Sequence, residues 1–128
     1  MSLLIRTLAA LSLCFTPLAV ALPMHSATLA GHTLQVADGL ILEQLATLDG
    51  PRLLSLDSAH NLLIGSRANR LYRLAPPYTN AEVLAELDDY PHSAVVRGEQ
   101  LWVARTSGLY RTAYPPRRLP LQESDFTL

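Results

Sequence analysis

Two similar stretches decide how this sequence is interpreted: "NRLYRLAPP" at residues 69–77 and "SGLYRTAYPP" at residues 107–116. When Pro51 is aligned with Pro91, the Leu-Tyr-Arg of 71–73 falls on the Leu-Tyr-Arg of 109–111, and the two Pro-Pro pairs also align. The offset drifts from 40 at the first prolines to 38 at the tyrosines because of single-residue deletions, which turns tolerate well. The sequence therefore contains two repeats of about forty residues.

Each repeat contains three short runs that are typical of strands. The runs are "RLLSL" and "HSAVV", then "NLLIG" and "QLWVA", then "RLYRL" and "GLYRT", with turn residues between them. The segment "AEVLAEL" (81–87) fits a helix or a strand by pattern alone. We assign it to a fourth strand, because "LILEQLATLDGP" (40–51) occupies the same place before the first repeat.

A period of about forty residues with four strands is typical of a β-propeller blade. A helical solenoid is the main alternative at this period, but prolines recur at strand-length intervals and argue against it. We therefore predict an all-β fold, a partial β-propeller of about two four-stranded antiparallel blades of a six-bladed type, after an N-terminal signal helix. The blades span 38–116, a leader to the first strand spans 28–37, and an irregular tail spans 117–128.

The N-terminal residues are predicted to be a secretory signal peptide, residues 1–21, with residue 27 as the latest cleavage position. One early cation, Arg6, precedes a 15-residue uncharged apolar run, which is too short to span a bilayer and ends near small residues. A buried N-terminal helix is the alternative. The only cysteine, Cys14, lies in this segment, so the mature chain would have no disulfide and no Cys-based metal site. We expect a periplasmic or secreted protein.

The charge of the chain argues against two classes of partner. The formal net charge is −1, and the cations form no basic stripe. We therefore expect no nucleic-acid binding, and no membrane association after signal cleavage.

The candidate site residues lie in loops that a propeller would bring to one end of its central channel. These are the loop that precedes each inner strand and the loop that joins the second strand to the third. They contain Arg52 and Arg67 in the first repeat, and His92 and Arg105 in the second. The arginines would gather an anionic cofactor, or are ordinary surface residues. His92 would line a ligand channel, or cap a strand through hydrogen bonds to the backbone.

Other residues have simpler interpretations. Asp88 and Asp89 would coordinate a cation or start general-acid chemistry, or form an exposed acidic turn. Trp102, Tyr72 and Tyr110 are expected to pack between blades. Because no second His or carboxylate accompanies His92 at ligand spacing, we predict no metal site, and we assign no catalytic residue.

Two segments carry a resemblance to a known family. "LDGPRLLSLDSAHNLLIGSRANRLYRL" (48–74) resembles the first blade of the PQQ-dependent glucose/sorbosone (pyranose) dehydrogenase-like family, and "YPHSAVVRGEQLWVARTSGLYR" (90–111) resembles the second blade. The resemblance covers residues 38–116. It implies a periplasmic oxidoreductase that binds pyrroloquinoline quinone (PQQ), usually with calcium, and oxidises a sugar or polyol.

The resemblance stops before the family's chemistry. Its catalytic histidine, its cofactor-binding Arg-Asn region and its calcium loop lie in later blades, and nothing in this sequence matches them. We therefore expect an N-terminal, two-blade fragment of such a dehydrogenase that is inactive alone and binds no cofactor by itself. Self-association through open blade edges is a further expectation. The alternative is a non-catalytic, NHL-like propeller module for ligand or protein binding.

Overall fold

The computed structural model describes residues 21–128, and these residues divide into two compact units, one before and one after the boundary between residues 42 and 43. The predicted signal peptide and its helix lie outside the described residues, apart from residue 21. In the part of the chain that the structure describes, the fold is all-β and antiparallel, and no α-helix occurs. No helix within residues 21–128 is therefore long and apolar enough to cross a membrane.

The first unit contains one β-hairpin, where the sequence pattern predicted only a leader. Its strands are β1 (Met24–Leu29) and β2 (His32–Ala37). Ala30 and Gly31 connect them, with φ of 49° and 80°. Positive φ at both central residues is what the favoured two-residue hairpin turn requires. Residues 28–37, predicted as a leader, thus hold the end of β1 and all of β2.

The first sheet of the second unit is a four-stranded meander. Its strands are β3 (Pro51–Leu56), β4 (Leu62–Ser66), β5 (Arg70–Leu74) and β6 (Ala81–Glu86), in that order across the sheet. The prediction of a fourth strand in "AEVLAEL" is confirmed. The equivalent prediction for residues 40–51 is wrong: β3 begins at Pro51, and residues 40–48 contain no strand. Ala46 and Leu48 instead pack on one face of this sheet.

The second sheet has three strands, β7 (Pro91–Arg97), β8 (Gln100–Arg105) and β9 (Gly108–Ala113). The prediction of four strands per repeat is therefore confirmed for the first sheet and wrong for the second. Pro115, Pro116 and Pro120 follow β9 and lack the N–H that a ladder needs. Among residues 21–128, only Thr127 pairs with the outer side of β9, through two hydrogen bonds with Arg111 of 2.8 and 2.9 Å.

The strand register is the same in both sheets. Leu63 lies opposite Ser55 and Arg73, and Trp102 lies opposite Val95 and Arg111. A register irregularity also follows the first residue of both β3 and β7. The alignment of the two repeats is thus reproduced residue by residue, and equivalent positions occupy equivalent faces.

The main core lies between the two sheets. The packing joins β7 chiefly to β3 and β4. Fully buried leucines and valine fill the space: Leu63, Leu71, Leu84, Leu101 and Val103. Apolar side chains on these facing surfaces alternate with residues that point away, as expected of packed antiparallel sheets.

Residues 117–128 pack against both sheets. Leu121 pairs in parallel with Ala85 of β6, and Leu121 and Phe126 are buried in the main core. A short 3₁₀ turn spans Glu123–Asp125. The C-terminal segment thus lies along the outer edge of β6 and the outer edge of β9.

Candidate functional site

The candidate site forms where β3 and β7 begin. The backbone N–H of Arg67 donates to Gly50 O at 2.9 Å, and the N–H of Thr106 donates to Tyr90 O at 3.1 Å. In each repeat, these bonds tie the loop before the first strand, β3 or β7, to the loop after the second strand. The structure therefore brings the predicted loop pairs together at one end of each sheet.

Arg52, Tyr90 and His92 line one cleft at this end. The cleft measures about 480 Å³ and is completed by Pro51 and Leu53. Arg52 Nε donates a hydrogen bond of 2.5 Å to the Tyr90 hydroxyl. The rings of Tyr90 and His92 lie 4.1 Å apart between centroids, with their planes at 44°. A cation and two aromatic rings thus share one concave surface.

The cleft favours a negatively charged ligand. Arg52 is exposed, and its guanidinium carbon lies 5.8 Å from the centroid of the Tyr90 ring. Within residues 21–128, no carboxylate lies within the 4.0 Å that defines an ion pair with Arg52. The N–H groups of its two terminal nitrogens are therefore available for a carboxylate or phosphate, which guanidinium groups bind in a bidentate manner.

Arg105 has a different environment from Arg52. Its side chain is only 3% exposed, and both terminal nitrogens donate to the Glu123 carboxylate at 2.8 Å. Its Nε donates to Asp89, and its guanidinium lies over the Tyr110 ring. All its polar groups face partners from the protein. Arg105 thus anchors the C-terminal segment to the loop before β7, and the structure does not bring it into the cleft.

The carboxylates around Arg105 have perturbed pKa values. The hydrogen bonds from Arg105 hold the pKa of Glu123 below its usual range. Burial raises the pKa of Asp89, but hydrogen bonds from Ser107 and Arg105 outweigh that effect and leave the pKa lowered. Both groups are therefore ionised at neutral pH and stabilise the buried cation.

Arg67 lies at the same end of the first sheet but does not line the cleft. It is exposed, and its Cβ lies 3.0 Å from the position that a Cβ on Gly50 would occupy. Of the four candidates from sequence, Arg52 and His92 come together, whereas Arg67 and Arg105 do not join them. Tyr90 lies in the loop predicted at this end but was not among the candidate residues, although its position two residues before His92 in an extended chain places both rings on one side.

A second polar cluster lies in the turn between β3 and β4. The Asp57 carboxylate accepts hydrogen bonds from the N–H groups of Ala59 and Asn61, from the Asn61 side chain and from the Tyr114 hydroxyl, at 2.7 to 2.9 Å. Burial raises the pKa of Asp57, but these bonds outweigh it and leave the pKa lowered. Because Tyr114 follows β9, this bond ties the turn to the second sheet. Its partners are all satisfied, so the cluster is structural.

Residues 21–128 contain no group of three or more His, Cys, Asp or Glu side chains arranged to hold a metal ion. Asp89 is engaged by Arg105 and Ser107, and the cleft at Arg52 has no carboxylate in its lining. The described residues therefore do not fit the calcium ion that the family resemblance implies.

No family model, curated protein or solved structure matches this chain.

Proposed function

We propose that this chain is part of an exported β-propeller of the quinoprotein sugar dehydrogenase kind. From the sequence we expected the chain to bind no cofactor by itself; the cleft formed by Arg52, Tyr90 and His92 leads us to propose instead that its own role is to bind a flat, anionic cofactor. The cofactor class is a carboxylated quinone such as PQQ, and the substrate class of the whole protein is a sugar or polyol. The reaction itself would depend on residues that this chain does not contain.

The observation that carries this proposal is the cleft formed by Arg52, Tyr90 and His92. The guanidinium of Arg52 would pair with a carboxylate of the ligand, and the rings of Tyr90 and His92 would contact its flat face. When bound, such a quinone supplies the capacity to accept two electrons. This chain would contribute binding and orientation of the cofactor.

Binding of PQQ to the purified chain tests the proposal. We expect saturable binding by isothermal titration calorimetry, and a loss of about 10-fold or more in affinity for Arg52→Gln, since a charged hydrogen bond contributes roughly 1.5–3 kcal/mol. Arg97→Gln is the matched control, because Arg97 is exposed and does not line the cleft. Equal affinities for both variants, or no binding by the parent chain, would contradict the proposal.

An activity measurement tests the second part of the proposal. With PQQ, an aldose and an artificial electron acceptor, we expect no turnover by this chain. Oxidation of the sugar would show that the chain carries catalytic residues of its own.

The second candidate is a non-catalytic, NHL-like binding module. It is favoured by a specific observation: Val95 and Leu109 expose apolar side chains on the uncovered face of the second sheet. An absence of PQQ binding together with protein binding at that face would favour this candidate over the first.

A further inference from the structure

The face of the second sheet that points away from the first sheet is apolar and uncovered. Val95, Trp102 and Leu109 line a groove of about 520 Å³ there, with Arg97 and Gln100 at its margin. Val95 is 45% exposed and Leu109 53% exposed. We call the surface formed by Val95, Trp102 and Leu109 the Trp102 face. Contiguous apolar surfaces with a polar margin are typical of interaction sites.

The internal repeat indicates what kind of structure covers the Trp102 face. Trp102 and Leu109 are equivalent to Leu63 and Leu71 of the first repeat. Both leucines are completely buried, because the second sheet packs on them. Within residues 43–128, the first sheet's equivalent of the Trp102 face is therefore covered by a β-sheet, and that sheet is formed by the second copy of the same repeat.

The chain also carries a surface of the covering kind. The second sheet covers Leu63 and Leu71 with residues that include Ala94 and Val96 of its inner strand β7. The equivalent residues on β3 are Leu54 and Leu56, which are 63% and 57% exposed. We call these two residues the Leu54 face.

The Leu54 face remains accessible beside its covered neighbours. On the same side of the first sheet, Ala46, Leu48 and Tyr78 pack over the cluster formed by Ile64, Tyr72 and Leu74 on β4 and β5. They leave the two leucines of β3 exposed. The second sheet contacts the first sheet through its first strand, β7. An equivalent contact by the first sheet would therefore use its own first strand, β3.

The sizes of the side chains are consistent with contact between the two faces at a wider spacing. The second repeat has Trp102 where the first has Leu63, and Ala104 where the first has Gly65. In the existing interface, the position of Gly65 leaves no room for a Cβ. On the other side, Leu54 replaces Ala94. Larger side chains on both surfaces fill a wider gap, as close packing demands.

We propose that the Trp102 face of one molecule binds the Leu54 face of a second copy of this chain, head to tail. The two surfaces differ, so the contact is heterologous, and a pair of molecules retains one unused surface at each end: a Leu54 face on one molecule and a Trp102 face on the other. Heterologous contacts produce closed rings or open filaments. The proposal does not depend on the ligand proposed for the Arg52 cleft.

Sedimentation velocity across a concentration series tests the proposal, with a second readout from fluorescence. Trp102 is the only tryptophan, so its emission should shift to shorter wavelength as the purified chain associates. We expect Leu109→Glu and Leu56→Glu each to weaken self-association by roughly 10-fold or more, since either places a charge in an apolar contact. Mixing the two variants should form a heterodimer, because each retains the face that the other has lost.

The control variant is Ile41→Glu, which adds the same charge at a side chain that is 92% exposed and belongs to neither face. Circular dichroism and thermal melts establish that all variants are folded. A parent chain that stays monomeric at all concentrations overturns the proposal. So does an association that survives Leu56→Glu but not Leu109→Glu, which would indicate that two Trp102 faces bind each other.

Discussion

Gly65 provides the sharpest test of how closely the two sheets pack. A Cβ built on Gly65 would lie 2.5 Å from both Pro91 O and His92 O, and 2.7 Å from His92 C. Real Cβ atoms essentially never approach closer than 3.0 Å, and ordinary contacts begin at 3.4 Å. All three neighbours are backbone atoms of β7, so no side chain can rotate to make room. The sheets would have to separate by about 0.5 to 0.9 Å, the differences between 2.5 Å and these two limits.

We expect Gly65→Ala to lower the free energy of unfolding by about 3 kcal/mol. Overpacking of a core costs roughly 1–3 kcal/mol, and a gap of 0.5–1 Å removes a quarter to a half of each dispersion contact across the interface. For a domain of this size, that loss corresponds to a decrease in Tm of roughly 12–24 °C. Urea unfolding followed by Trp102 fluorescence and by far-UV circular dichroism measures the change, and agreement of the two probes tests two-state behaviour.

Gly98→Ala is the matched control for this substitution. Gly98 has a φ of +58°, but nothing lies within 4 Å of a Cβ built there. The same chemical change should therefore cost only the left-handed backbone strain, about 1–2 kcal/mol. A Gly65→Ala variant as stable as the parent chain, or more stable than Gly98→Ala, would refute the close approach of β4 and β7.

Three further outcomes are expected from the charged residues. Arg105→Ala should lower stability by roughly 3 kcal/mol in urea unfolding, because it leaves two carboxylates without their buried partner. Arg118→Ala, which removes an exposed ion pair, should cost under about 1 kcal/mol, and equal losses would contradict the structural role of Arg105. Asp57, Asp89 and Glu123 have lowered pKa values, so their stabilisation is complete above the unfolded pKa values of about 4. This stabilisation is lost as the pH falls through the pKa values of the folded state. When Tm is measured from pH 7 to pH 2, we expect it to decrease once the pH is below about 4, and to decrease less steeply in Arg105→Ala. A flat profile in the parent chain would contradict this expectation.

The strands of the two repeats were predictable because their signals are local. Alternating or continuous apolar runs of strand length, separated by turn residues, mark all three strands of each repeat. The alignment of Leu-Tyr-Arg with Leu-Tyr-Arg also placed each residue of one sheet at its equivalent in the other. The structure reproduces that register.

The segments that were not predicted depend on contacts distant in sequence. In residues 117–128, Leu121 and Phe126 form no periodic pattern, and they are buried only because two sheets meet beside them. Residues 40–48 are apolar enough for a strand. Ala46 and Leu48 instead pack their side chains on one face of the first sheet, and the backbone of residues 40–48 forms no strand. Propensity alone does not distinguish these outcomes.

The candidate site was predictable in its location and only partly in its composition. The equivalent positions of Arg52 and His92 followed from the repeat, and they do lie in one cleft. The fate of Arg105 did not follow, because its partner Glu123 lies eighteen residues away in a segment without a recognisable pattern. An arginine in a loop gives no local indication of whether its charge faces solvent or a buried carboxylate.

The C-terminal segment has a mechanical consequence. Leu121 exchanges backbone hydrogen bonds of 2.9 Å with Leu84 and Glu86 of β6, and Thr127 exchanges two with Arg111 of β9. A pull on the C-terminus is therefore carried first by the short pairing with β9, then by the ion pair between Glu123 and Arg105, and then by the pairing with β6. The backbone hydrogen bonds at each point are fewer than those that join two full strands, so this segment would detach before the strands behind it separate. Under force, the release of residues 117–128 should therefore precede the separation of the two sheets.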